Sequence, residues 1–532
     1  MKQSNKKAYI VVAVMIFMII FTRAITISHN MELHPDEHVF YNAAQSLKNC
    51  IFDSTQVFEE EKEYPEGAFV LQLPFHILSS IIYRLSGISV SPQLSGRIAA
   101  VFYFTAGAVI GCAILYKYLS QKLTSLIIYG CTIVFSVIHI TQSRYGTSDA
   151  ITLSLLMAVI YLAARSLDSK KHNLAYIISA FFMTGALAAA KYPLIFFAVI
   201  PVFCAVKQLK KYSFGKRVLL SLVMLTALYI GFAILSPKAA FDPMYIVRAS
   251  TREVGAYVTA YSYSLADVWT HFMAMLTYSF FYSGFPLMPI FFGLCIKHLL
   301  RNTDSFASSS EATLFSIVIP ALTVIFFVYN LFVMLLVSRT YYPFFFLTDL
   351  YVSAYIGNVF SEVNTRKRIA SCALCLLMVG RGIYYLALLS EKNDSEKFAD
   401  MIADVVDENW EHTTILSGFM VLPQGYNDYP DLQLVNSDNP RFLTPESTEL
   451  KHGELFIAGA RLHTVYSLYY NFLPSQHSST LDSEIWLKFL EQNSEYYVGR
   501  PYPLYTDYIL GNWIMGTNGC YEFPTACLFY RP

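Results

Sequence analysis

The chain has 532 residues, of which 55% are hydrophobic, 16% aromatic and only 14% charged, and its 38 basic and 38 acidic side chains cancel to a net charge of zero. That much apolar side chain exceeds what a soluble domain of this size needs. The zero hides an asymmetry: from Glu391 onward there are 20 acidic and 8 basic residues, leaving 18 acidic and 30 basic upstream. The upstream bases sit in short clusters beside apolar runs, as the positive-inside rule produces, and not along one face as nucleic acid would require.

The first element, "MKQSNKKAYIVVAVMIFMIIFTRAITI", has a basic start and a long apolar run. The run is longer than a secretory signal needs and no A-x-A site follows, so it reads as an uncleaved first membrane helix with Lys2, Lys6 and Lys7 holding its start in the cytoplasm. Further spans are expected at 96–116, 124–141, 149–166, 174–190, 193–207, 217–235, 272–296, 313–337, 341–360 and 369–389, about eleven with the first. An odd number places the C-terminus outside. It also puts Lys117 and Lys122, "DSKKHN", "KQLKKYSFGKR", Lys297, Arg301 and "TRKR" on the cytoplasmic side.

The segment at 69–88, "FVLQLPFHILSSIIYRLSGI", is apolar enough to cross, but it holds Gln72, Pro74, His76 and Arg84, and counting it would reverse every later loop. It is expected to be an amphipathic helix in the outer interface, within a first external loop of residues 28–95. Beyond about residue 391, "TTILSGF", "LQLVN", "ELFIAGA", "EYYVG" and "ACLFY" read as short strands, and "SEKFADMIADVVDENW" and "SEIWLKFLEQ" as helices. The expected organisation is a membrane domain over 1–390 and an external α/β domain over 391–532. Cys112, Cys131, Cys204, Cys295, Cys372 and Cys375 fall in or near spans, as packing residues do, whereas Cys520 and Cys527 flank "YEFPTA" at a spacing compatible with a disulfide.

On this topology the unusual polar residues gather on the outer side. The first loop brings "MELHPDEHVFYNAA", with Asp36 and Glu37 between His34 and His38, and then "EEEKEYPEG". The loop after the third span brings "SRYGTSD", that after the fifth "AAAKYP" and that after the ninth "SRTYYP". Singly, each has an ordinary explanation: Pro35 and two acids make a helix start, and charges at span ends snorkel. Acids in one loop facing Arg144, Lys191 and Arg339 from three others form a more specific pattern.

In this order and on one face, these stretches resemble the GT-C superfamily of membrane glycosyltransferases, in particular the branch of the protein O-mannosyltransferases and lipid A aminoarabinose transferases. "PDEHVFYNAA" matches the family's acid pair after the first span. "YPEGAFVLQLPFHILSSIIYRLSG" matches its aromatic-acid stretch and juxtamembrane helix, and "SRYGTSDAITLSLLMA", "AAAKYP" and "SRTYYPFFF" match its later motifs. The resemblance covers about residues 8–360. It departs at Gly67, where the aminoarabinose transferases have Lys after the second acid.

The resemblance implies a polytopic α-helical membrane protein of GT-C type, with a small C-terminal extracytoplasmic α/β domain. It also implies transfer of a sugar from a polyprenyl-phosphate donor to a hydroxyl on a glycan, lipid or protein acceptor. Asp36 is then the expected general base with Glu37 beside it, and Arg144, Lys191 and Arg339 are the cations for the donor phosphate. Asp149 is expected to hold Arg144 or Lys191, with Tyr192 and Tyr341 in support. Glu66 with a histidine is a candidate for holding a divalent metal ion, although no spacing is diagnostic. Two other classes compete. A flippase or transporter of lipid-linked glycans would also need many spans, but the chain lacks matched halves. A structural partner in an envelope assembly would not need the acids.

Overall fold

A computed structural model describes residues 2–28, 37–53, 65–169, 171–242, 287–302, 309–333, 341–360 and 365–389, with short pieces at 55–56, 58, 244–249, 251, 268–269, 272–273, 275–276 and 279. Of the C-terminal part it describes 414–417, 434–435, 449–450, 452–458, 492–499 and 527–531. Apolar runs dictate most of the helices. Helix α1 (Lys2–Ser28) is followed by α2 (Glu37–Phe52) and α3 (Gly67–Ser86). Gly87 ends α3 in the left-handed region at φ 72°, donating its N–H to the Tyr83 carbonyl, a conformation that needs no Cβ. Helix α4 (Pro92–Ile114) starts with Pro92 in its first turn and the Ser91 hydroxyl accepting from the Leu94 N–H at 3.1 Å.

The next hydrophobic run is broken. Helix α5 (Leu123–Phe135) and helix α6 (Val137–Arg144) meet at Ser136 with a 57° bend. Then come α7 (Ser148–Asp168), α8 (Asn173–Ala190), a 3-10 segment (Tyr192–Ala198), α9 (Val199–Leu209), α10 (Phe214–Leu235) and the one-turn α11 (Pro237–Phe241). Helices α8 and α10 approach closely at two glycines. A Cβ on Gly185 would stand 1.9 Å from the Leu228 carbonyl oxygen, and one on Gly231 would stand 2.0 Å from that of Phe182. Small residues at a helix crossing are what membrane packing favours, because lipid gives no hydrophobic drive to associate. The series ends with α12 (Leu287–Asn302), α13 (Ile319–Val333), α14 (Tyr342–Val359) and α15 (Thr365–Leu389).

Among the described residues nine helices are long and apolar enough to cross a membrane, or ten if the bent α5–α6 pair is one span. The chain is a multi-pass membrane protein. The difference from the eleven expected spans has physical causes. The span expected at 341–360 is α14, which carries Asp349 and several hydroxyl side chains. It is more polar than the other spans, and nearly all of it is buried among other helices. The span expected at 272–296 coincides only in part with the described residues. Helix α3, expected to lie in the interface, is long and apolar enough to cross. Two of the four residues that argued against lipid, Gln72 and His76, are turned into the protein, while Leu78, Ile81, Ile82, Tyr83 and Leu85 are exposed.

All five strands expected beyond residue 391 are present: β1 (Thr414–Ser417), β2 (Leu434–Val435), β3 (Glu454–Ala458), β4 (Tyr497–Gly499) and β5 (Cys527–Arg531). They form one sheet in the order β2-β1-β3-β5-β4. β1 pairs parallel with both β2 and β3, and β5 runs antiparallel to β3 and β4. The two helices expected there, and Cys520, lie outside the described residues.

Candidate functional site

Of the residues singled out in the sequence, His34, Asp36 and Arg339 lie outside the described residues, as does the side chain of His38. Glu37, the first residue of α2, is fully buried. Its carboxylate takes both arms of the Arg97 guanidinium from α4, Nε to Oε1 at 2.8 Å and Nη2 to Oε2 at 2.8 Å. Oε1 also accepts the Gly146 N–H at 2.9 Å. The other side of that loop is fixed too, since the Gln72 side-chain amide donates to the Gly146 carbonyl at 2.8 Å. The loop lies directly on α4: a Cβ on Gly146 would come within 3.0 Å of the Gly96 backbone. A parallel fork of this kind fixes direction as well as distance.

The same loop carries the other expected residues. Arg144, the last residue of α6, is buried and donates from Nη2 to the Thr26 carbonyl of α1 at 3.1 Å. Asp149, in the first turn of α7, accepts from Lys191 Nζ at 2.9 Å and from the Thr147 hydroxyl at 3.3 Å. Asp149 is buried, whereas the Lys191 side chain retains 27% exposure, so the ammonium is anchored and still reachable. Lys191 follows the end of α8 directly, and Gly67 packs on that end. A Cβ at Gly67 would stand 2.7 Å from Ala189 C and Ala190 N. A side chain as long as Lys is therefore poorly suited to the position at which this chain departs from the aminoarabinose transferases.

Glu66, just before α3, is also buried. Its Oε2 accepts the Ser236 hydroxyl at 2.9 Å and the Ala239 N–H at 3.3 Å, which ties the first loop to α11. Donors aimed at a carboxylate oxygen mark a hydrogen-bond acceptor, and no cluster of three or more His, Cys, Asp or Glu stands among the described residues. His34 and the side chain of His38, the first-loop histidines that could join Glu66, lie outside the described residues, and no chemical step is routed through a metal. Tyr192 is half-buried with its ring centroid 6.4 Å from that of Phe232, and Tyr341 is fully buried 5.3 Å from Phe327.

The structure thus brings Glu37, Arg144, Asp149, Lys191 and Glu66 to one end of the helical bundle. It adds four residues that sequence reasoning did not single out: Arg23, Arg97, His139 and Asp349, all buried. Arg23, Arg97, His139 and Asp349 each lie inside an apolar stretch, and a charged side chain there is costly unless paired. That cost was the available signal.

Solved structures share the fold. The crystal structure of the Archaeoglobus fulgidus oligosaccharyltransferase in the apo form superposes with a TM-score of 0.50 at 9% identity, over 88% of this chain and 72% of that one. The same protein in complex with Zn and sulfate gives 0.50 at 11% identity, over 92% and 71%. ArnT from Cupriavidus metallidurans bound to undecaprenyl phosphate gives 0.47 at 11% identity, over 88% and 94%. No protein-family model and no curated protein matches the sequence. The chain shares the fold of the Archaeoglobus fulgidus oligosaccharyltransferase, and at such identities the likeness concerns the fold alone.

Proposed function

We propose that the chain is a glycosyltransferase that moves a sugar from a polyprenyl-phosphate donor to an acceptor hydroxyl at the outer membrane face, by a single inverting displacement. The observation that carries this reading is the convergence at one bundle end: acids from the first loop, Arg144 and Asp149 around the α6–α7 loop, and Lys191 after α8. A fold shared with a protein named as an oligosaccharyltransferase supports group transfer.

In this reading Asp36 takes the proton of the attacking hydroxyl. Glu37, engaged by Arg97 and Gly146, positions the start of α2 and so its chain neighbour Asp36. Negative charge grows on the departing phosphate, and cations already in place stabilise it without reorganisation. Lys191, held by Asp149, is one, and Arg144 and Arg339 are the others, with Tyr192 and Tyr341 shaping the surroundings. The acceptor is a glycan, lipid or protein. Residues 391–532 form an external domain, and α3 lies in the outer interface.

Two experiments test this. Mass spectrometry of envelope glycans with and without the protein should show one sugar lost from one acceptor class. An unchanged glycan profile, with purified protein inert toward polyprenyl-phosphate sugars, would remove the transferase reading. For orientation, single cysteines are labelled from outside intact cells in a background lacking the native external cysteines. Ser437→Cys should react and Lys210→Cys should be protected, and the reverse pattern would invert the topology.

A further inference from the structure

Helix α6 has eight residues, too few to hold its own shape or place, and it is severed from α5 by the 57° bend. Its position is set by neighbours. The bend leaves carbonyls at the end of α5 without helical partners. Arg23 of α1 takes two of them, Nη2 to Ile133 O at 3.0 Å and Nη1 to Val134 O at 2.8 Å. The Nε of the same guanidinium donates to the Ser143 hydroxyl at 2.9 Å, and Ser143 donates to the His139 carbonyl one turn back. The bend is thereby locked from the α1 side.

The opposite side is locked by a second set. His139 Nε2 bonds to the Asp349 carboxylate of α14, and its Nδ1 lies 3.2 Å from the Tyr342 hydroxyl on the same helix. The ring is further enclosed by Phe104 and Phe346, with centroids at 5.8 and 5.4 Å. His139 and Asp349 have no exposed surface. Tyr342 and Asp349 are seven residues apart, about 10 Å along the helix axis, so α14 is gripped near its start and about two turns in. Two apolar side chains would hold these helices together equally well, since a buried ion pair is weak ground for stability. The pair adds direction. Hydrogen bonds of fixed geometry set the height and rotation of α6 against α14, where apolar contacts permit sliding.

We propose that the His139–Asp349 pair is a positioning device for the cationic side of the transferase site. It fixes α6, and through α6 both Arg144, five residues on, and the Gly146 amide that Glu37 accepts. The proposal rests on the transferase reading, because the ligand it serves is the donor phosphate.

The test uses the full-length purified protein, undecaprenyl phosphate as probe and thermal unfolding on the same preparations. Asp349→Leu removes the directional bond and puts an apolar side chain in its place, and the isosteric Asp349→Asn keeps a neutral bond to His139. Misplacing a binding group by an ångström is costly, so Asp349→Leu should weaken probe binding by roughly tenfold or more and lower the unfolding temperature, because it orphans a buried His139 nitrogen, whereas Asp349→Asn should bind intermediately while unfolding near the wild-type temperature. Wild-type binding in Asp349→Leu would overturn the positioning role. So would losses of binding that track losses of stability in both variants, because the pair would then be an ordinary packing element. If the wild-type protein itself fails to bind the probe, the transferase reading has failed and this inference falls with it.

Discussion

Glu37 and Arg97 stand 60 residues apart in the chain and meet through two hydrogen bonds of 2.8 Å, out of contact with water. One residue begins the helix of the first loop and the other lies in the first turns of α4, so the pair determines how that loop sits on the bundle. Arg97→Ala leaves a carboxylate buried with one amide N–H as its remaining described partner. The expected cost is about 3–5 kcal/mol. The double change Glu37→Gln with Arg97→Met should recover much of this, because no uncompensated charge remains. Thermal unfolding of the purified variants reads both, and a double variant no better than Arg97→Ala would count against the pair.

The approach of Gly67 to α8 makes a second prediction. Gly67→Ala places a methyl 2.7 Å from backbone atoms that cannot swing aside, so α3 or the end of α8 must shift. Overpacking of this kind costs about 1–3 kcal/mol. Because Lys191 follows Ala190 directly, donor use should fall together with stability, whereas a substitution at exposed Gly215, where a Cβ meets nothing, should change neither. Comparing unfolding temperature and donor KM across the two sites decides.

What the sequence made legible follows from what is local. Apolar runs and alternating strands announce themselves over a few residues, so most spans and all five described strands were readable. The loop residues around Arg144, Asp149 and Lys191 were readable because their charges interrupt those runs. Three features were not. The break at Ser136 carries no Pro or Gly, and it persists because Arg23, over a hundred residues away in sequence, satisfies the carbonyls it frees. Helix α14 was readable as a span at 341–360, but the pairing of its Asp349 with His139 was not, since only packing brings the two together. The partner of Glu37 could not be chosen from sequence among the basic residues, since only packing brings Arg97 to it.

Lys191 is anchored by Asp149 yet partly exposed, and the proposed function gives it the donor phosphate to meet. Lys191→Ala should weaken donor use by about 1.5–3 kcal/mol, the worth of a charge-assisted contact to phosphate, and leave acceptor use nearly unchanged. Asp149→Asn should produce a smaller effect of the same kind, because the ammonium remains but loses its anchor. Separate donor and acceptor titrations measure this. An effect confined to the acceptor would rule out the phosphate role.

The last prediction concerns Asp36 and Glu37, adjacent in the chain and unlike in the tasks proposed for them. Asp36→Asn retains shape and can still begin a helix, so stability and donor binding should stay close to wild type. The amide cannot accept a proton, and general-base catalysis typically contributes 10²–10⁴-fold, so turnover should fall by about that factor. Glu37→Gln should behave in the opposite way. Its amide oxygen can still accept from Arg97 Nε and Gly146, but its NH2 cannot accept from Arg97 Nη2, so the fork loses one bond as well as its ionic part, stability falls, and turnover per folded molecule falls less than in Asp36→Asn. Sugar transfer and thermal unfolding are measured on the same preparations of both variants. Wild-type turnover in Asp36→Asn at normal stability would end the general-base assignment and leave the acid pair as a helix start joined to a clasp on α4.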